Sequence, residues 1–111
     1  MRNDPLQIEV RPGSRNGEVV LHLAGPLVLS NLFDFQKSWR EQSASSITVD
    51  LTRVPCVDSA GIGSLVNIHV SRQKVGGEVR LLGVCDRVMT ALAVTKVDKI
   101  LLISRVAAAA N

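Results

Sequence analysis

The sequence predicts an α/β sandwich: a mostly parallel sheet of four to five strands that opens with an antiparallel hairpin and has helices packed on it. Three observations lead there. Short stretches alternate apolar and polar residues with a period of two, longer stretches repeat apolar residues at i, i+3 and i+4, and the two kinds follow one another as β-β-α-β-α-β-α-β. Strands separated by helices need crossover connections, and crossovers produce parallel pairing with helices laid on the sheet.

The elements follow in order. Residues 6–11 set Leu6, Ile8 and Val10 against Gln7, Glu9 and Arg11, the alternation of a half-buried edge strand. Turn formers fill residues 12–17, residues 18–24 form a second strand, and Gly25-Pro26 closes it, so the first two strands make an antiparallel hairpin. Ser30 or Asn31 is placed to cap a helix in which Leu32, Phe35, Gln36 and Trp39 recur at helical spacing up to about residue 43. The aromatic side chains of this segment are assigned to the core. Residues 46–51 form a third strand, with Ile47, Val49 and Leu51 opposite Thr48 and Asp50. Residues 62–75, carrying Leu65, Val66, Ile68 and Val70, form a second helix that Gly76-Gly77 stops. A fourth strand over 78–84, a helix over 87–97 capped by Asp86, and a short fifth strand over 100–104 complete the expected fold. The alanine-rich remainder, 105–111, reads as a tail, so the expectation is one domain spanning 1–111 with its core at about 6–104.

Composition narrows the function classes. With 46% hydrophobic and 21% charged residues, the chain can bury enough apolar surface to fold. It contains no apolar run near the ~18 residues of a membrane span. Its start, MRNDPLQIEV, lacks the basic and apolar regions of a secretory signal, so a soluble cytoplasmic protein with no transmembrane segment is expected. The net charge is +3, but the 13 basic residues are spread from Arg2 to Arg105 among acids, and Phe33, Phe35 and Trp39 are the only aromatics, which argues against nucleic-acid binding. Cys56 and Cys85 lack metal-ligand spacing and read as buried free thiols; no metal or cofactor is expected. An enzyme is also disfavoured. Ser59 is not in a GxSxG elbow, His69 lies ten residues along the same helix, His22 alternates within a strand as a structural or surface residue, and Gly61-Ile62-Gly63 lacks the rest of any nucleotide-binding motif.

The unusual segment is Asp50-Leu51-Thr52-Arg53-Val54-Pro55-Cys56-Val57-Asp58-Ser59-Ala60-Gly61-Ile62-Gly63, where the third strand turns into the second helix. Gly61 and Gly63 fall in the first helical turn, where each costs about 1 kcal/mol relative to alanine. Such a cost implies that something approaches the backbone there, or that the turn packs tightly on the sheet. Asp58 and Ser59 fall at the N-cap, among unpaired N–H groups at the positive end of the helix dipole. Two roles are open to a serine there: a plain cap worth about 1 kcal/mol, or a phosphorylation site whose dianion would meet that positive end.

The run DLTRVPCVDSAGIGSLV, followed by the GGEVRLLGV strand, resembles the core motif of STAS domains, in which a DS(S/A)G segment opens the second helix. The resemblance implies a STAS-like sandwich of the anti-sigma factor antagonist type. In that branch the serine after the aspartate is phosphorylated by the partner anti-sigma factor, itself a serine kinase, and here that residue is Ser59. Unphosphorylated antagonists bind the kinase and free the sigma factor; phosphorylated ones let go, and a phosphatase resets them. The resemblance therefore implies a monomer or weak dimer without catalysis of its own, whose partner-binding residues are Leu27, Ser30, Asn31, Asp58, Ser59, Ala60, Gly61, Ile62 and Gly63. Asp58 is matched to the acid that helps orient the hydroxyl. Two departures stand out. Where many members carry an acidic Gly-Glu-Leu-Asp-type loop, residues 25–31 hold no carboxylate, and residues 105–111 are too short for the family's usual closing helix. A second role within the family is a STAS subunit or scaffold of a larger assembly, either a lipid-transport or a stress-signalling complex, which the apolar residues 27–29 favour.

Overall fold

Strand β1 (Gln7–Pro12) pairs antiparallel with β2 (Glu18–Ala24), with Gln7 opposite Ala24 and Pro12 opposite Val19. The turn closes where the Gly13 amide donates to the Glu18 carbonyl at 2.9 Å, and Pro12, which has no amide hydrogen, is tolerated because β1 is an edge. The computed structural model describes residues 4–105. After β2 come a 3-10 turn at Leu29–Asn31, helix α1 (Leu32–Arg40), β3 (Ser46–Arg53), α2 (Ser59–Lys74), β4 (Val79–Val84), α3 (Asp86–Val94), a second 3-10 turn at Val97–Lys99, and β5 (Leu102–Arg105).

The five strands lie in sequence order, β1-β2-β3-β4-β5, with β2 to β5 parallel. Each crossover therefore moves one strand further in the same direction, and because such crossovers are right-handed all three helices fall on one face of the sheet. Burial follows that asymmetry. Val19, Leu21, Leu23, Ile47, Val49 and Leu51 point into the core, while Val20, His22, Thr48 and Asp50 alternate with them on the other face and stay half-buried. The helices complete the core with Phe35 and Trp39, Leu65 and Ile68, and Val88 and Leu92. Burying each such side chain is worth about 1.5–3 kcal/mol.

Several boundaries differ from expectation, each for a local reason. Helix α1 ends at Arg40, short of residue 43, because the carbonyls of Gln42 and Ala44 turn to accept from the Arg72 guanidinium at 3.3 and 2.7 Å. Helix α3 stops at Val94: the Thr95 hydroxyl donates back to the Ala91 and Leu92 carbonyls, and Lys96 adopts a left-handed φ of 64°. Asp86 is not the cap of α3. Cys85 holds that position without a side-chain bond, and the Asp86 carboxylate accepts from the Arg105 guanidinium instead. Helix α2 ends as expected at the glycine pair, with Gly77 donating to Arg72 and Gly76, at φ 78°, donating to Gln73. Cys56 and Cys85 are free but only half-buried, which corrects the expectation of sealed thiols; both lie where strand ends meet connecting segments rather than under a helix. Arg105 closes β5, and the rest of the expected tail, 106–111, lies outside the described residues.

On the helix-free face, His22 Nδ1 lies 2.7 Å from Asp50 Oδ2, and the Thr52 amide and hydroxyl donate to Asp50 Oδ1 at 3.0 and 2.6 Å. Burial alone raises the Asp50 carboxyl, but the bonds from Thr52 and His22 outweigh it and leave it below its ordinary value of 3.8. A carboxylate depressed in the folded state stabilises the fold above its unfolded value, and that stability is lost as the pH falls through the lower folded value. The urea midpoint is thus expected to fall below about pH 4, and Asp50→Asn to flatten part of that slope. Identical slopes in the two proteins would show that the cluster contributes nothing.

Candidate functional site

The site is built where the segments leaving β2 and β3 run side by side. The Gly25 amide donates to the Arg53 carbonyl at 3.0 Å, the Leu27 amide to the Cys56 carbonyl at 3.1 Å, and Leu27 forms an isolated parallel bridge with Val57. One step further on, a side chain takes over from the backbone. Asp58, in extended conformation, is the N-cap of α2: its Oδ1 accepts from the Gly61 amide at 2.8 Å, and its Oδ2 accepts from the Leu29 amide at 3.0 Å. A single carboxylate thereby joins the start of α2 to the loop ahead of α1.

Gly61 is needed here. An added Cβ would lie well under 3.0 Å from the Leu27 carbonyl oxygen, so the loop backbone rests on the first turn of α2. Gly63 differs: it is exposed, and a Cβ there would meet open space. The two glycines that looked alike in the sequence thus have separate roles, one admitting the loop and the other lying on open surface.

Because Asp58 is the cap, Ser59 is the first residue of the helix proper. Its side chain is exposed, and its hydroxyl bonds to none of the described residues, Asp58 included. The expectation that Asp58 orients this hydroxyl is therefore corrected: both carboxylate oxygens are engaged by backbone amides. Ser30 and Gly63 are also exposed, and Ala60 and Asp58 are half-buried. Leu27, Asn31, Gly61 and Ile62 are buried, so they shape the site from within and do not present side chains to a partner. Asn31, one of the two proposed caps, does hold the N-cap position of α1, but neither residue caps the helix with its side chain. Ser30 lies inside the 3-10 turn, and the Asn31 side-chain amide donates to the Pro26 and Asp4 carbonyls at 2.8 and 3.0 Å, locking the loop against the chain ahead of β1.

Two exposed apolar residues lie on this loop and on the helix after it: Leu29, within the apolar stretch 27–29 read from the sequence, and Phe33, which was missed in the sequence. Leu29, whose amide Asp58 holds, is 69% exposed, and Phe33, one turn on, is 75% exposed. Phe33 departs from the core assignment given to the aromatics of this segment, whereas Phe35 and Trp39 keep it. The available signal was spacing, since Phe33 falls off the stripe formed by residues 32, 35, 36 and 39.

The chain matches the STAS domain family over residues 6–110. It is a member of that family. No curated protein sequence matches this STAS domain. Among solved structures it is similar to a Thermotoga maritima protein provisionally named an anti-sigma factor antagonist, with a TM-score of 0.79 and 26% identity over 86% of this chain and 84% of that one. An anti-sigma factor antagonist from Mycobacterium paratuberculosis shares the fold with a TM-score of 0.75 at 16% identity, covering 88% and 84%. A sulfate transporter family protein from Wolinella succinogenes shares it at 0.67 and 22% identity, covering 83% and 80%. The five-stranded sheet with one antiparallel pair is thus a STAS fold that serves more than one kind of protein.

Proposed function

We propose that this STAS domain is an anti-sigma factor antagonist, a non-enzymatic cytoplasmic switch that binds an anti-sigma factor when Ser59 is free and lets go when Ser59 is phosphorylated. One observation carries the reading: the Ser59 hydroxyl stands exposed and unbonded by the described residues at the start of α2, because Asp58 has taken the capping role. A phosphate there can be added without unfolding the helix, since anions are favoured at helix N-termini. In the reaction the partner kinase would join the γ-phosphorus of ATP to Ser59 Oγ, ADP would leave, and the hydroxyl proton would pass to a base on the kinase. A phosphatase would return the domain to its binding state.

Incubation with the anti-sigma factor kinase and ATP, followed by peptide mapping, should place one phosphate on Ser59. Label on any other residue would refute the assignment. The exposed Leu29 and Phe33 favour a second reading, a STAS subunit or scaffold in a larger lipid-transport or stress-signalling assembly, because exposed apolar pairs suit lasting interfaces. Co-purification separates the two: a kinase supports the switch, an ATPase or permease the assembly.

A further inference from the structure

The geometry points to Asp58 as a clasp through which a phosphate on Ser59 would release the turn at Leu29–Asn31, so that the switch acts by reshaping the docking face as well as by charge. This rests on the reading of Ser59 as a phosphate acceptor. The loop leaving β2 is fastened by three amides. Those of Gly25 and Leu27 donate to main-chain carbonyls, which a charge on residue 59 leaves in place, but the Leu29 amide donates to the Asp58 carboxylate. That carboxylate is the residue next to Ser59, and its other oxygen caps α2 through Gly61.

A dianion on Ser59 acts against this arrangement in two ways. It repels the neighbouring carboxylate, and like charges a few ångströms apart weaken the charged form of each. It also competes for the N–H groups at the helix start, which the carboxylate now shares. Either way the Leu29 amide loses its acceptor while the bonds at residues 25 and 27 persist. The segment set free is the 3-10 turn at Leu29–Asn31, whose Leu29 side chain is exposed. Asn31, anchored to Pro26 and Asp4, limits the change to the turn.

Amide hydrogen exchange read by NMR on the isolated full chain tests this without a partner, using protein with phosphoserine placed at residue 59 during translation. Leu29 should exchange about tenfold faster than in the unmodified protein, the scale expected when a charge-assisted bond is lost, while Gly25 and Leu27 keep their rates. Asp58→Asn, whose side chain still caps Gly61 but offers no second oxygen to Leu29, should accelerate Leu29 to a similar extent with no phosphate present. Phosphoserine in the Asp58→Asn background should then add nothing. Unchanged exchange at Leu29, equal acceleration in both backgrounds, or a rise at all three amides together would each overturn the clasp. Since the phosphate is installed without a kinase, failure here differs from failure to find a kinase partner.

Discussion

Gly61→Ala is expected to destabilise the domain by about 3 kcal/mol or more, although alanine is the better helix former by about 1 kcal/mol. The new methyl group would overlap the Leu27 carbonyl oxygen, and that carbonyl belongs to a backbone fastened before it by the Leu27 amide and after it by the Leu29 amide. A flexible side chain could turn aside, whereas this loop cannot without breaking those bonds and the Asn31 anchor. Gly63→Ala is the control. With open space around it, the same substitution two residues on should stabilise the protein by up to about 1 kcal/mol. Urea unfolding of both variants measures the difference, and equal midpoints would show that the loop does not rest on the helix as described.

Ser59→Asp should weaken binding to the anti-sigma factor by about a hundredfold, or about 2.7 kcal/mol, while Ser59→Ala binds as the wild type does and no longer responds to ATP. The sign follows from comparing the free and docked states. In the free domain a carboxylate at the first helical position is solvated and faces the positive end of the dipole, so the fold loses nothing. In the proposed docked state it would be stripped of water next to the Asp58 carboxylate, where an unpaired charge is costly. Titration calorimetry with the purified partner supplies the comparison, and unchanged thermal stability of Ser59→Asp confirms that the loss lies in binding. Equal affinities for the two variants would remove the basis for a charge-gated switch.

Much of the fold was legible because its signals are local. Period-two alternation in β1, β2 and β3, the Gly76-Gly77 stop and the turn formers before Glu18 each report the conformation of their own residues. The site was legible only as a segment. Asp58 and Ser59 are both good caps, and nothing nearby in the sequence distinguishes them; what gives Asp58 two amides to serve is Leu29, 29 residues earlier. Gly61 and Gly63 are likewise equivalent until the Leu27 carbonyl arrives from another loop. The helix ends at Arg40 and Val94 were missed for a related reason, since the first depends on Arg72 reaching across from α2 and the second on a left-handed lysine that no pattern announces.

The sheet's order has a consequence for how the molecule comes into being. Every strand lies beside the one made just before it, and paired residues are never more than about 32 positions apart, so the chain can condense from its beginning as it is synthesised, without waiting for a distant segment. The two loops and the helix start that surround Ser59 all precede β4. The nascent protein can therefore display Ser59 while the last third of the chain is still being made.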